Sequence, residues 1–348
     1  MISKIIQPAF KENNVPICLF SDDYYVPYLA TAVCSAISNT SDATNLDILI
    51  FENGYTEENK QFLMSMGKDK KNISIRFIDM RPFVSMLTVN PSKKVSVNCF
   101  AKIFCTDEIF KEYEKIIVLD SDLLILQDLM ELYKTDLKGK MVGAVKDIYF
   151  DVMLESGYHT DDRLGFISFK QYAEAMGLDS KNYFNSGVLL YDIKKCQEAD
   201  VQTKIVDINN NYPTMMYAAQ DDLNILFKDN WTQIDDKWNV QNPYSICSHI
   251  DKFPEGYVSL MDTAGILHFL GKSKPWNDKK MWKGELFTKY AMQTPWKELY
   301  LARARKNERK NRVRLFLLPK GSKRREVFYK VYYFIKQKKV YIFRVGKI

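Results

Sequence analysis

Asp120-Ser121-Asp122 places two carboxylates directly after the run Lys115-Ile116-Ile117-Val118-Leu119 and before Leu123-Leu124-Ile125-Leu126. The first run reads as a buried parallel strand. Charge is costly inside a dry sheet unless it is paired or holds a metal. In an open α/β sheet the carboxyl end of a strand faces the crevice where ligands bind. Oxygen ligands suit Mg²⁺ or Mn²⁺, ions that also take phosphate oxygens. The acids therefore read as an Asp-x-Asp clamp for a divalent ion carrying a diphosphate. The competing reading is a loop with two solvated acids.

The elements that must position this pair alternate. Pro16–Phe20, Asp47–Phe51, Ser74–Ile78 and Lys115–Leu119 read as strands. Tyr28–Ser38, Thr56–Met66 and Asn98–Phe110 read as the helices between them, the second opened by Thr56 and closed by Gly67. This spacing implies a mostly parallel sheet with helices on both faces. No glycine-rich phosphate loop follows the first strand; Ser21-Asp22-Asp23-Tyr24-Tyr25 stands there instead. That argues against a dinucleotide fingerprint and a P-loop. Further on, Met141–Val145 reads as a strand ending at Asp147, and residues 149–165 read as loop. Phe184-Asn185-Ser186-Gly187 leads into a buried strand, Gln220–Phe227 reads as a short helix and Ile266–Phe269 as a short strand.

The 348 residues, 46% hydrophobic, suit a globular protein with a large core. Six scattered cysteines, none in a Cys-x-x-Cys pair, read as reduced thiols. Residues 1–16 lack the apolar core of a secretory signal, and no run approaches the length of a membrane span. A cytoplasmic location follows as an expectation. The net charge of +7 hides an asymmetry. From Arg303 to Ile348, 17 Lys and Arg residues face only Glu308 and Glu326, which leaves the body acidic. Apolar and aromatic groups interleave the basic ones, as in Val327-Phe328-Tyr329-Lys330-Val331-Tyr332-Tyr333-Phe334-Ile335. Residues 303–348 thus read as an anchor for an anionic membrane surface, with a tail folded on the body as the alternative. Nucleic acid is disfavoured because the body is acidic.

Four blocks in one order carry a family resemblance. They are Phe20-Ser21-Asp22-Asp23-Tyr24-Tyr25, Leu119-Asp120-Ser121-Asp122, Phe184-Asn185-Ser186-Gly187-Val188-Leu189-Leu190 and His268-Phe269-Leu270-Gly271-Lys272-Ser273-Lys274-Pro275-Trp276. The set resembles glycosyltransferase family 8, retaining enzymes of the lipooligosaccharide galactosyltransferase and glycogenin type, over roughly residues 15–277. The resemblance implies a GT-A type α/β domain at 1–276; beyond it, composition marks residues 277–348 as a basic, aromatic-rich helical region. It implies transfer of a hexose from UDP-galactose or UDP-glucose to a glycan acceptor. With a membrane-seeking tail, that acceptor reads as a lipid-linked surface polysaccharide or lipopolysaccharide core, reached at the inner face of the cell membrane.

By the same resemblance, Asp22 and Tyr25 match the acid and aromatic that hold uracil. The physics agrees, since a carboxylate accepts the imide N–H and a ring stacks on the base. Asp22 reads otherwise as a helix cap. Asp120, Asp122 and His268 match ligands of Mn²⁺, with Mg²⁺ the second candidate. Of three histidines, only His268 ends an apolar strand and precedes a Gly-x-x-Lys turn. Gly271 would let backbone approach phosphate and Lys274 would neutralise it. Ser121 lies in the donor-binding Asp-x-Asp turn. Asn185 and Asp221 match donor-sugar contacts, while Asp147 and Gln220 match the catalytic positions. Three departures stand out. Ala219 replaces the first acid of Asp-Gln-Asp, Lys102 stands for an arginine at a spacing one residue long, and Tyr24 takes the place of a common asparagine. Two rival readings follow: a catalytically silent scaffold of the same fold, or a self-glucosylating primer.

Overall fold

The computed structural model describes residues 5–81, 97–155, 157, 167–211, 216–217, 219–242, 256–271, 274–277, 281–319, 322–324 and 327–328. Its strands are β1 (Asn14–Asp22), β2 (Asn45–Asn53), β3 (Ile73–Asp79), β4 (Lys115–Leu119), β5 (Leu123–Ile125), β6 (Val142–Lys146), β7 (Phe184–Asp192), β8 (Trp231–Gln233), β9 (Val240–Gln241) and β10 (Ile266–His268). The main sheet runs β3-β2-β1-β4-β7-β6-β8, and β5-β10-β9 form a small second sheet.

Strands β3, β2, β1 and β4 are mutually parallel, joined by crossover segments that carry the helices Val26–Asn39, Glu57–Ser65 and Val97–Phe104. The expectation of a mostly parallel α/β sheet holds, with one qualification. β7 runs antiparallel to both β4 and β6, so β4 is parallel on one side only. Alternate side chains divide the core. Cys18, Phe20, Leu49, Phe51 and Val118 pack on one face, and Ile17, Leu19, Ile48, Ile50, Ile117 and Leu119 on the other. Burial of each large apolar side chain here stabilises by about 1.5–3 kcal/mol.

Several expected elements shift. The helix expected over 98–110 ends at Phe104. Asp107 then caps a separate 3₁₀ turn, Glu108–Phe110, accepting from Ile109 N at 3.0 Å. The stretch from residue 149 expected to be loop begins as the helix Ile148–Glu155. Its Phe150, Val152 and Met153 bury against Phe169, Tyr172 and Tyr183. The helix at 57–65 is capped by Thr56, as its sequence suggested, with Asn59 N donating to the hydroxyl.

Packing continues across the expected division at residue 276. Trp276, Phe287, Ala291 and Tyr300 share one apolar cluster with Tyr28 and Phe269. The helix Lys297–Leu317 is therefore docked at its start, where Tyr300 and Ala304 are buried. Val313, Phe316 and Leu317 near its end are exposed. Residues 329–348 of the basic tail lie outside the described residues. Among those described, no helix is long and apolar enough to cross a membrane. Cys18, Cys34, Cys105 and Cys196 are buried free thiols, while Cys247 and the side chain of Cys99 fall outside the described residues.

Candidate active site

Strand register brings the four sequence blocks together. Leu119 of β4 pairs with Val188 of β7, and the next residue, Asp120, donates its N–H to Gly187 O at 2.9 Å. β5 begins directly after Asp122, and its Leu123 pairs with His268 of β10. Phe269 N then donates to Asp122 O at 3.0 Å. The first block joins through Ser121, whose hydroxyl donates to Phe20 O at 2.7 Å. The acid turn is thus fixed to β1, β7 and β10.

Gly187 is required by this convergence. A Cβ there would fall on the His268 ring, so only a glycine lets β7 pass. His268 is buried, and its Nδ1 meets Asn239 Oδ1 at 3.0 Å. Its Nε2 faces Asp122 Oδ1 at 3.3 Å and Asp120 Oδ2 at 3.8 Å. Asn239 thereby fixes which nitrogen meets the acids, a role that partners of metal-bound histidines commonly play. The sequence reading missed it. Its only signal was a polar residue beside the buried Trp238 in the short turn before β9.

Ligand atoms of Asp120, Asp122 and His268 all lie within 4.8 Å of one another. Two carboxylates and one imidazole fit Mn²⁺ or Mg²⁺ by donor chemistry. The acids are already charge-compensated. Lys102 Nζ stands 2.8 Å from Asp120 Oδ1, and Lys274 Nζ contacts both Asp122 and Phe269 O. Burial alone would raise the Asp122 carboxyl; Lys274 and His268 outweigh it and hold it well below the usual carboxylate range. Lys102 also reaches Ser186 O at 2.8 Å and its Oγ at 2.9 Å. The one-residue excess in its spacing therefore does not keep it from Asp120.

A polar chain continues from Lys102. Gln220 Oε1 accepts from Ser186 N at 3.1 Å, and Gln220 Nε2 donates to Asp147 Oδ2 at 2.8 Å. Asn185 Nδ2 donates to the same oxygen at 2.9 Å, and Asn185 Oδ1 accepts from Asn239 Nδ2 at 2.9 Å. From Asn239 the chain returns to His268. Lys102, Ser186, Gln220, Asp147, Asn185, Asn239 and His268 thus form one continuous polar chain that starts at Asp120 and ends facing both acids. Asp221 stands behind it, fully buried. Its oxygens accept from Tyr183 at 2.5 Å, from Tyr172 at 2.6 Å and from Tyr217 N at 2.8 Å. Burial, partly offset by the tyrosine bonds, raises its carboxyl above the ordinary range. Asp221 braces Tyr172 and Tyr183 and does not line the same rim as Gln220. Ala219 opens the helix Ala219–Leu226 and packs against the core.

On the β1 side, Asp22 is exposed and caps a short turn, accepting from Tyr25 N at 2.9 Å. This matches the capping alternative for one of its oxygens. The Tyr25 ring lies edge-on to Tyr28 and Trp276, with centroids 5.0 and 5.6 Å away. Burial, with Asp122 and Asp120 nearby, pushes its phenol up. Gly271 has φ +75°, a left-handed conformation that favours glycine. Lys272 and Ser273 lie outside the described residues.

With the fold and this geometry in place, the comparisons define the class. Residues 16–280 match the model of Glycosyl transferase family 8, and the chain belongs to that family. It is 24% identical over 295 residues to General stress protein A of Bacillus subtilis (strain 168), covering 82% of this chain and 96% of that one. It is 26% identical over 285 residues to the Lipopolysaccharide 1,2-glucosyltransferase of Escherichia coli (strain K12), covering 80% and 77%. It spans 63% of a putative glycosyltransferase of Haemophilus influenzae. Among solved structures, galactosyltransferase LgtC in complex with donor and acceptor sugar analogs superposes with a TM-score of 0.63 at 24% identity, over 81% of this chain and 96% of that one. The apo WbbM bifunctional glycosyltransferase gives a TM-score of 0.77 at 23% identity, over 86% of this chain and 53% of that one. The fold is of the GT-A type, and family membership supports a transferase.

Proposed function

We propose that this protein transfers a hexose from UDP-galactose or UDP-glucose to a glycan acceptor, with retention at the anomeric carbon. The observation that carries this reading is the Asp120, Asp122 and His268 cluster with a lysine against each acid. These three residues would hold Mn²⁺, or Mg²⁺ in second place. When bound, the ion would supply positive charge for a departing diphosphate. Lys274 adds charge on the same side, from a turn that Gly271 makes tight. Asp22 and Tyr25 would hold the uracil, and the Ser121 hydroxyl keeps the acid turn registered on β1.

Gln220 and Asp147 are assigned to the reacting sugar. Their mutual hydrogen bond, together with Asn185, holds the Gln220 amide in one orientation. An amide is a weak nucleophile, so it suits positioning better than a covalent intermediate. The acceptor hydroxyl would attack from the face that UDP leaves; the new glycosidic bond would form as the bond to UDP breaks, with the hydroxyl proton passing to the departing diphosphate. Lys102 supplies a charge at the arginine position, without the planar fork of a guanidinium. The intact triad and its paired lysines argue against the silent-scaffold reading.

The acceptor is proposed to be lipid-linked, in the manner of a surface polysaccharide or lipopolysaccharide core. The basic tail would hold the enzyme at the inner face of the cell membrane through its residues beyond Asn307, because Arg303 and Asn307 are engaged with the body that carries the proposed catalytic domain at 1–276. A screen of UDP-sugars for Mn²⁺-dependent hydrolysis tests the reading without an acceptor. Turnover of one or more UDP-hexoses is expected; no turnover with any of them, at any divalent ion, would overturn it. NMR of a product formed on a glycan acceptor should show an α linkage.

A further inference from the structure

The start of the helix Lys297–Leu317 touches both turns that flank the proposed donor site. The Arg303 guanidinium lies over the Tyr24 ring at 4.1 Å and the Tyr28 ring at 5.6 Å, and its Nη1 donates to Tyr24 O at 3.0 Å. One helical turn on, Asn307 Nδ2 donates to Asn277 Oδ1 at 2.7 Å and to Trp276 O at 3.4 Å. Tyr300, Arg303, Ala304 and Asn307 share one face by the helical period. Tyr300 and Ala304 are buried and seat that face. A second brace reaches the first turn from just before this helix. Trp296 Nε1 donates to Asn59 Oδ1 at 2.9 Å, and Asn59 Nδ2 donates to Asp23 Oδ1 at 2.7 Å.

We infer that Arg303 and Asn307 are positioning residues that set the separation of the two donor-site walls, the turn Asp22–Tyr25 and the turn Lys274–Asn277. The inference rests on the donor-site reading above. It also gives Tyr24 a physical role. At this departure from the family pattern the aromatic ring is 65% exposed, and it offers the face on which Arg303 stacks. Trp276 of the second turn stacks at 4.0 Å on Tyr28, which lies on the helix directly after the first turn. Arg303 and Asn307 hold that stack from the two sides. Neither residue touches the acid triad, so their loss should loosen nucleotide binding and leave the chemical step unchanged.

The test is calorimetry of UDP with Mn²⁺ on full-length protein, paired with donor-hydrolysis kinetics. Arg303→Ala should weaken UDP and raise the UDP-sugar KM by about fivefold to tenfold, from loss of the cation–π contact and one hydrogen bond. The turnover number at saturating donor should stay within about twofold, because only binding that is equal in ground and transition states is lost. Tyr24→Ala removes the ring contact but keeps the hydrogen bond to the carbonyl of residue 24, so it should act in the same direction and more weakly, and the double variant should be no worse than Arg303→Ala alone. Arg303→Lys should restore part of the loss, and it carries the test if Arg303→Ala does not fold. A folded Arg303→Ala with unchanged UDP affinity and KM would overturn the clamp alone. A fall in turnover number with KM unchanged would do the same. If the wild type itself binds no UDP in the presence of Mn²⁺, the donor-site reading fails and the clamp fails with it.

Discussion

Two neighbouring parallel strands each run out into a pair of aspartates. β1 leads into Asp22 and Asp23, and β4 into Asp120 and Asp122. Their partners differ in kind. Asp22 and Asp23 accept from neutral donors: Tyr25 N, Thr56 N and Asn59 Nδ2. Asp120 and Asp122 meet Lys102, Lys274 and the His268 ring. Neutral donors tie a turn to its surroundings. Cations and an imidazole around two largely buried carboxylates converge three ligand side chains within 4.8 Å, an arrangement that a divalent ion could use. The comparison teaches that an acid pair at a strand end is read from its partners, and those partners arrive from residues far away in the chain.

The comparison breaks most severely at Asp122. Asp122→Asn should preserve the fold and lower Mn²⁺-dependent donor turnover by at least about 100-fold, because it removes a charged ligand worth several kcal/mol in the transition state. Turnover that survives with normal metal dependence would make the two acid pairs equivalent. Gly187→Ala comes next. Its methyl group would displace the His268 ring, so turnover should fall at least about tenfold and stability by about 1–3 kcal/mol. A thermal melt and the metal dependence, measured together, check it. Asp23→Ala should do the reverse. It loses contacts to Thr56 and Asn59, costing about 1 kcal/mol of stability, while Mn²⁺ dependence stays normal.

The last effect concerns pH. Burial, offset in part by Lys146, pushes the Asp151 carboxyl up to about 6. The folded protein then binds this proton more tightly than the unfolded chain, whose carboxyl titrates near about 4. The contribution of Asp151 to stability is therefore largest below about pH 4 and declines as pH rises through about 6. Denaturant melts of wild type and Asp151→Asn across this window should converge at the acid end and separate at neutral pH, with the variant the more stable.

The apolar runs at 16–20, 47–51 and 115–119 made the parallel strands legible, because buried strands carry little else. The same logic hid the direction of β7, since a run such as Val188-Leu189-Leu190 reads alike parallel or antiparallel. Acids and glycines after Met153 drew residues 149–165 towards loop, although Ile148–Glu155 buries a helical face. At the site, residues with motif spacing could be placed from sequence, among them Asp120, Asp122, His268 and Lys274. Asn239 could not, because its function depends on a contact with His268 made through the fold. The same is true of Arg303, which sits in a basic segment where Arg305, Lys306, Arg309 and Lys310 are exposed. Asp221 shared a motif with Gln220, yet the helix turns it to Tyr172 and Tyr183 instead.

Calorimetry of UDP on wild type and Asp122→Asn, with and without Mn²⁺, tests the central claim most directly. The account predicts that Mn²⁺ strengthens UDP binding to the wild type by at least about tenfold, a gain of about 1.4 kcal/mol or more, and that Asp122→Asn abolishes the gain while remaining folded. Equal UDP affinity in both proteins, with or without the ion, would contradict it.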